Sequence, residues 1–213
     1  MGSQILVTEA LHDYMVRHGM PLDQIAQELV AETNALGGVS EMLTTADQAA
    51  LLTMLTRLTS ARRAVEIGTF TGFSALAIAR GLPADGELIC LDVSDEWTSI
   101  GRRYWERAGV ADRIEVRIGD AHKSAAELEG EFDLAFVDAD KPGYIEYFEH
   151  LVPRIRQNGL LMFDNTLAGG RVVGYHDEDP VDRKEFNAHI AADDRVDVVM
   201  LGIGDGLTLV RKR

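Results

Sequence analysis

Apolar residues in this chain come in short unbroken runs that stop at an acid or a glycine, separated by stretches with helical spacing. The runs are Ala64-Val-Glu-Ile-Gly68, Gly86 to Asp92, Arg113 to Gly119, Phe132-Asp-Leu-Ala-Phe-Val-Asp-Ala-Asp-Lys141 and Leu160-Leu-Met-Phe-Asp-Asn165. Short apolar runs bounded by turn signals read as strands buried on both faces of a parallel sheet. Between them, helices are predicted over Phe73 to Arg80, Asp95 to Arg107 and Val181 to Ala192. A further helix is predicted over Tyr144 to Arg156, with Ile145, Phe148, Leu151, Val152 and Ile155 inward and Gln157-Asn-Gly159 as its stop. Ahead of the sheet, Ile5 to Ala35 reads as two helices broken at Gly19-Met20-Pro21. A third starts at Thr44-Thr-Ala-Asp47 and places Leu51, Leu52, Met54, Leu55 and Leu58 on one side. Near the end, Arg195 to Leu201 and Gly206 to Arg211 are joined by Gly202-Ile-Gly-Asp205, too short for a helical crossover, so they must pair antiparallel at the sheet's edge. The alternation predicts one α/β domain over 1–213, a mostly parallel Rossmann-like sheet with helices on both faces, preceded by a helical extension over 1–43.

Composition narrows the partners. A formal net charge of −14 over 213 residues disfavours nucleic acid and anionic membrane, both of which need a positive footprint, and is compatible with divalent cations. No window approaches a membrane span and no basic-then-apolar leader begins the chain, so a soluble, cytoplasmic protein is expected. Cys90 is the only cysteine; a disulfide within the chain and a cysteine zinc site are excluded, and a core position is expected.

Chemistry concentrates where the strands end. Ligands of parallel sheets bind beyond the carboxyl ends of the strands, which brings Asp138, Asp164 and Asn165 to one rim. Two carboxylates and an amide oxygen are hard donors that suit Mg²⁺ or Ca²⁺, and Lys141 opens the next helix beside them. The bland alternatives are acids that only cap helices and a surface lysine paired with Asp140. After Glu66 the glycines fall as G-x-x-x-G, at Gly68 and Gly72, not as the G-x-G-x-x-G of a pyrophosphate cradle. Asp92 follows Gly72 at the offset of a ribose-binding acid, so a nucleoside without a pyrophosphate is expected, with Gly119-Asp120-Ala121 at its adenine edge. The long loop over 166–180, with Gly169, Gly170, Arg171, Gly174, Tyr175 and His176, is expected to be a lid over the substrate.

Val65-Glu-Ile-Gly-Thr-Phe-Thr-Gly-Phe-Ser74, Leu91-Asp92, Asp138-Ala-Asp-Lys141, Asp164-Asn165 and Leu201-Gly-Ile-Gly-Asp-Gly-Leu-Thr-Leu209 closely resemble the cation-dependent class I O-methyltransferases, the caffeoyl-CoA and catechol O-methyltransferase group. Similarity runs from about Met42 to the C-terminus. The resemblance implies a seven-stranded sheet with a reversed last strand and a homodimer. It places S-adenosylmethionine across Thr44, Glu66, Gly68, Thr69, Ser74, Asp92 and Ala121, with Asp120 and Asp138 adjoining, Asp92 at the ribose and Glu66 at the methionine end. It assigns the metal, Mg²⁺ before Ca²⁺ or Mn²⁺, to Asp138, Asp164 and Asn165, and the general base to Lys141. The acceptor implied is a vicinal dihydroxy aromatic molecule. Two departures bear on that acceptor. The animal catechol enzymes have a Trp where Asp140 stands and a late Glu, whereas residues 188–201 contain none. The plant enzymes hold the CoA end with basic residues, some near the N-terminus, and Arg17 is the sole Lys or Arg before Thr56. A small free catechol is therefore expected ahead of a CoA thioester. A nicotinamide-dependent oxidoreductase and a non-catalytic nucleoside-binding module are the competing classes.

Overall fold

A computed structural model describes residues 5–174 and 181–213. Seven strands form one sheet in the order β3-β2-β1-β4-β5-β7-β6. Of these, β1 (Arg63–Ile67), β2 (Glu87–Asp92), β3 (Ile114–Ile118), β4 (Phe132–Val137) and β5 (Ile155–Phe163) run parallel. The hairpin β6 (Val196–Leu201) and β7 (Leu207–Lys212) supplies the reversed strand, with β7 antiparallel to both β5 and β6.

Alternation along the buried strands sends side chains to two cores. Ala64, Leu88, Cys90, Leu134, Phe136 and Met162 face α2 (Gln24–Asn34), α3 (Ala46–Leu58), α4 (Phe73–Gly81) and α5 (Asp95–Arg107). Val65, Ile67, Leu91, Val137, Leu161 and Phe163 face α6 (Ala121–Ala126), α7 (Tyr144–Leu151) and α8 (Val181–Ala191). Helices thus cover both faces, as the run pattern requires. The first helix, α1 (Glu9–His18), begins at an N-cap Thr8 and buries no residue.

Local physics departs from the sequence pattern at three places. The helix expected to reach Arg156 ends at Leu151: Pro153 has no N–H to continue the ladder, a single 3-10 turn (Val152–Arg154) follows, and Ile155 already pairs with Phe132 of β4. Leu160 pairs with Leu134, so residues 156–159 bulge out of the strand instead of capping a helix. On α3 the buried face is Gln48, Ala49, Leu52, Thr53 and Thr56, while Met54 and Leu58 are exposed. Small residues let α3 lie close to α4: a side chain at Gly81 would collide with Thr56, and Thr53 donates to the Ala77 carbonyl at 2.8 Å. Third, Asp120 starts a short helix, α6, accepting from the His122 backbone N–H.

The strand order reverses at β1, which lies between β2 and β4. At such a switch point the loops leaving neighbouring strands part and open a crevice beyond their carboxyl ends. Among the described residues no helix is long and apolar enough to cross a membrane.

Candidate active site

That crevice is a cavity of about 820 Å³. Thr44, Gly68, Thr69, Ser74, Asp92, Asp120, Ala121, Asp138, Lys141, Asp164 and Asn165, dispersed over 122 positions of sequence from 44 to 165, all line it. Of the residues that the resemblance assigns to cofactor, metal or base, Glu66 alone is not on the wall. Its side chain is wholly buried behind it, next to Ser74 and Thr69, which are on the wall.

The turn after β1 is shaped by close backbone approach. Gly68 has φ +87°, and any side chain there would strike the Asp138 carbonyl; at Gly72, φ +81°, it would strike the Trp105 ring, whose indole N–H donates to the Gly72 carbonyl at 2.9 Å. Asp92 fastens this turn from the end of β2. One carboxylate oxygen accepts from the Thr69 and Phe70 backbone N–H groups, both at 2.8 Å, and the other from Ser94 N–H at 2.8 Å. A carboxylate offers about four lone-pair sites, so capacity for a ribose hydroxyl remains. Phe70 and Trp97, in edge contact with centroids 5.1 Å apart, form an aromatic wall beside Asp92. Burial pushes the Glu66 carboxyl up to about 7, against the pull of Ser74, Thr69 and Cys90, with Asp92 adding to the rise. The Cys90 thiol, in the core as expected, donates to Glu66 Oε2 at 3.4 Å, and Glu66 Oε1 has no hydrogen-bond partner.

At the ends of β4 and β5 stand Asp138, Asp164 and Asn165. Burial first, and the Asp138 charge second, push Asp164 up to about 7, opposed by Gln48, the Asn165 backbone N–H and Lys141. Two carboxylates are crowded there with an amide. Asn165 sits at φ +55°, a left-handed conformation that Asn tolerates better than most side chains, with its backbone N–H on Asp164 Oδ1 at 2.7 Å. Hard oxygen donors whose pKa is raised by burial and by a neighbouring carboxylate fit a divalent cation, which would favour their charged forms. The glycine approach at Gly68 and the unpartnered Glu66 Oε1 behind it fit a nucleoside cofactor with a cationic end lying along the turn. A second trio of potential ligands, Glu149, His189 and Asp193, lies at the surface, where Arg195 already pairs with both acids, at 2.8 and 2.5 Å.

Lys141 does not pair with Asp140. Its Nζ donates to Asp138 Oδ1 at 2.7 Å and to the Tyr144 hydroxyl at 2.9 Å. Asp140 is taken: Tyr147 donates to one of its oxygens at 2.6 Å, and His122 lies 3.2 Å from the other while its second ring nitrogen is 2.8 Å from Glu146. Partial burial lowers the His122 pKa, but Glu146 and Asp140 outweigh it and hold the imidazole above its ordinary value.

Tyr144, Tyr147, His122 and Gln48 were not singled out by sequence. Tyr144 lies three residues from Lys141, one helical turn, a spacing that signals contact. For Gln48, brought to Asp164 across more than a hundred residues, the sequence holds no signal. Tyr175 and His176 of the expected lid lie outside the described residues; before them a 3-10 segment (Ala168–Val173) starts where the Asp205 carboxylate accepts the Gly169 N–H.

A family model described as O-methyltransferase matches residues 17–213. Tricin synthase 1 of Oryza sativa subsp. japonica is 41% identical over 188 residues, 80% of this chain and 75% of that protein. Caffeoyl-CoA O-methyltransferase of Eucalyptus gunnii is 36% identical over 98% of this chain and 89% of its own length. Among solved structures, the O-methyltransferase TomG from Streptomyces achromogenes in complex with SAM superimposes with a TM-score of 0.87 at 27% identity, covering 95% of this chain and 96% of that one.

Proposed function

Since the chain belongs to the O-methyltransferase family, we propose that it transfers a methyl group from S-adenosylmethionine to one hydroxyl of a small vicinal dihydroxy aromatic molecule, with a divalent cation at the acceptor. Membership covers the methyl transfer and the cofactor class; acceptor and cation rest on the site. The observation that carries the reading is the pair of strand-end carboxylates with Asn165, where burial and then the Asp138 charge raise Asp164, beside a lysine inside the same cavity.

A divalent cation on Asp138, Asp164 and Asn165 would orient two neighbouring acceptor oxygens and lower the pKa of the hydroxyl to be methylated. Lys141 Nζ stands at that end of the cavity to receive the hydroxyl's proton, within reach of Asp138 and Tyr144. Asp92, with Phe70 and Trp97, receives the nucleoside end, and Asp120 and Ala121 border it. Thr69 and Ser74 line the wall ahead of buried Glu66, where the methionine end would lie. Holding cofactor and acceptor in one rigid crevice would bring the donor methyl against the acceptor oxygen where the two meet, which is the orientation that direct transfer needs.

A second reading, transfer to a caffeoyl-CoA-type thioester, is favoured by relatives such as the Eucalyptus gunnii enzyme. Against it, among the described residues Lys141 and His122 are the only basic ones lining the cavity, facing seven acids that include Glu41, Asp120 and Asp205. A CoA tail carries several negative charges. Turnover of a small catechol, a flavonoid and caffeoyl-CoA, read by product mass, separates the two.

Excess EDTA should abolish turnover and leave S-adenosylmethionine binding nearly intact by calorimetry, and Asp164→Ala should do the same in a folded protein. Full activity in EDTA, with no ion found by elemental analysis, would overturn the metal-dependent reading.

A further inference from the structure

Tyr144 opens α7 directly after the 3-10 turn Lys141–Gly143. Its ring is held in the core at 1% exposure, against Phe163 at 5.5 Å and edge-on to Phe186 at 5.3 Å between centroids. Its hydroxyl meets the site through Lys141, which lines the cavity. A phenol has one proton to give, and here it goes to backbone carbonyl oxygen: Asp164 O lies at 2.9 Å and Val137 O at 3.3 Å, on the carboxyl ends of β5 and β4. With the proton so directed, the oxygen's lone pairs are left for Lys141 Nζ, 2.9 Å away. A lysine side chain has much rotamer entropy to lose, and a ring locked by packing can act as a fixed anchor for its end.

We propose that Tyr144 is a positioning residue for Lys141, tying Nζ to the strand ends that carry Asp138 and Asp164 so that it stays at the acceptor's end of the cavity when Asp138 is engaged by a ligand. The inference rests on the function proposed above. Of the two acceptors now holding Nζ, Asp138 is the one a cation would claim. The Tyr144 hydroxyl, tied to main-chain carbonyls, is not competed for. The chain holds Nζ twice, and only the second hold survives loading of the site.

Tyr144→Phe keeps the ring and removes the anchor. Turnover is expected to fall about 10-fold or more, while the acceptor KM and the dissociation constants for S-adenosylmethionine and for Mg²⁺ by calorimetry stay within about twofold. A readout without turnover is the rate at which acetic anhydride modifies Lys141 in ligand-free protein, by peptide mass, with exposed Lys123 as internal reference. That rate should rise in Tyr144→Phe at a temperature where circular dichroism shows both proteins folded. An unchanged Lys141 rate, or turnover within twofold of wild type, would overturn the inference. Lys141→Arg, measured in parallel, tests the base itself: if it retains turnover, the base assignment fails, and the labelling rate still decides whether Tyr144 holds Nζ.

Discussion

At Glu66 a carboxyl group lies wholly inside the protein with one oxygen unpartnered, and burial raises its pKa from 4.5 to about 7. A folded-state pKa above the unfolded one gives stability that is present below the unfolded value and lost as pH rises through the folded one. Between about pH 4.5 and 7 the unfolded chain releases this proton and the native protein keeps it, so stability declines across that window and levels off above it. Glu66→Gln removes the titration. The variant should match wild type at about pH 4.5 and exceed it above pH 7 by up to ~3 kcal/mol, the scale of that shift at 1.36 kcal/mol per pKa unit. Urea denaturation at both pH values checks this; equal differences at the two would show that Glu66 does not titrate there. Residue chemistry at this level is largely legible in the sequence. An acid at the end of an apolar run can be placed at a strand's carboxyl end without any coordinates. That Glu66 sits behind the wall and Asp92 on it depends on strand position and on which way each side chain points, and both stand in the structure, not in residue type.

The segment from α6 through the 3-10 turn to α7 acts as one element. His122 bridges Asp140 and Glu146 and stacks on Tyr147 at 4.8 Å, so the turn carrying Lys141 is clamped from both sides. Because these carboxylates hold the His122 pKa above 6.5, the stabilisation is fully present below that value and is lost as pH rises through the raised one. His122→Gln should therefore lower Tm more at about pH 6 than at about pH 8.5. A Tm difference independent of pH would show that the charged imidazole contributes nothing to the clamp. This clamp was hidden in the sequence for a reason of length. With six residues, α6 is too short to show a helical period, and the apolar pattern after Tyr144 runs through Pro153 without marking that the helix stops. Periodicity records which positions are buried; here the buried positions belong first to a helix and then to a strand.

Across the whole molecule, α2 spends its apolar face on α4 and α5, but α1 buries nothing, and Ile5, Leu6, Tyr14 and Met15 stay exposed. Exposed apolar side chains gathered on one arm are an outlet for self-association. We expect a homodimer through this arm: light scattering at micromolar concentration should give twice the chain mass, and Leu6→Glu with Met15→Glu should return it to one. Monomer alone in wild type would overturn this. The sequence by itself determined the α/β alternation, the terminal antiparallel hairpin and the strand-end positions of Asp92, Asp138, Asp164 and Asn165. Burial pattern and turn chemistry are local properties, and connection length forbids a crossover between β6 and β7. Only the tertiary structure decided that β1 lies between β2 and β4, that Gln48 shares a cavity wall with Asp164, and that Lys141 turns to Asp138 and Tyr144 while Tyr147 and His122 turn to Asp140. Those outcomes depend on which partners packing brings together, and neither residue type nor spacing chooses among several candidates of the same kind.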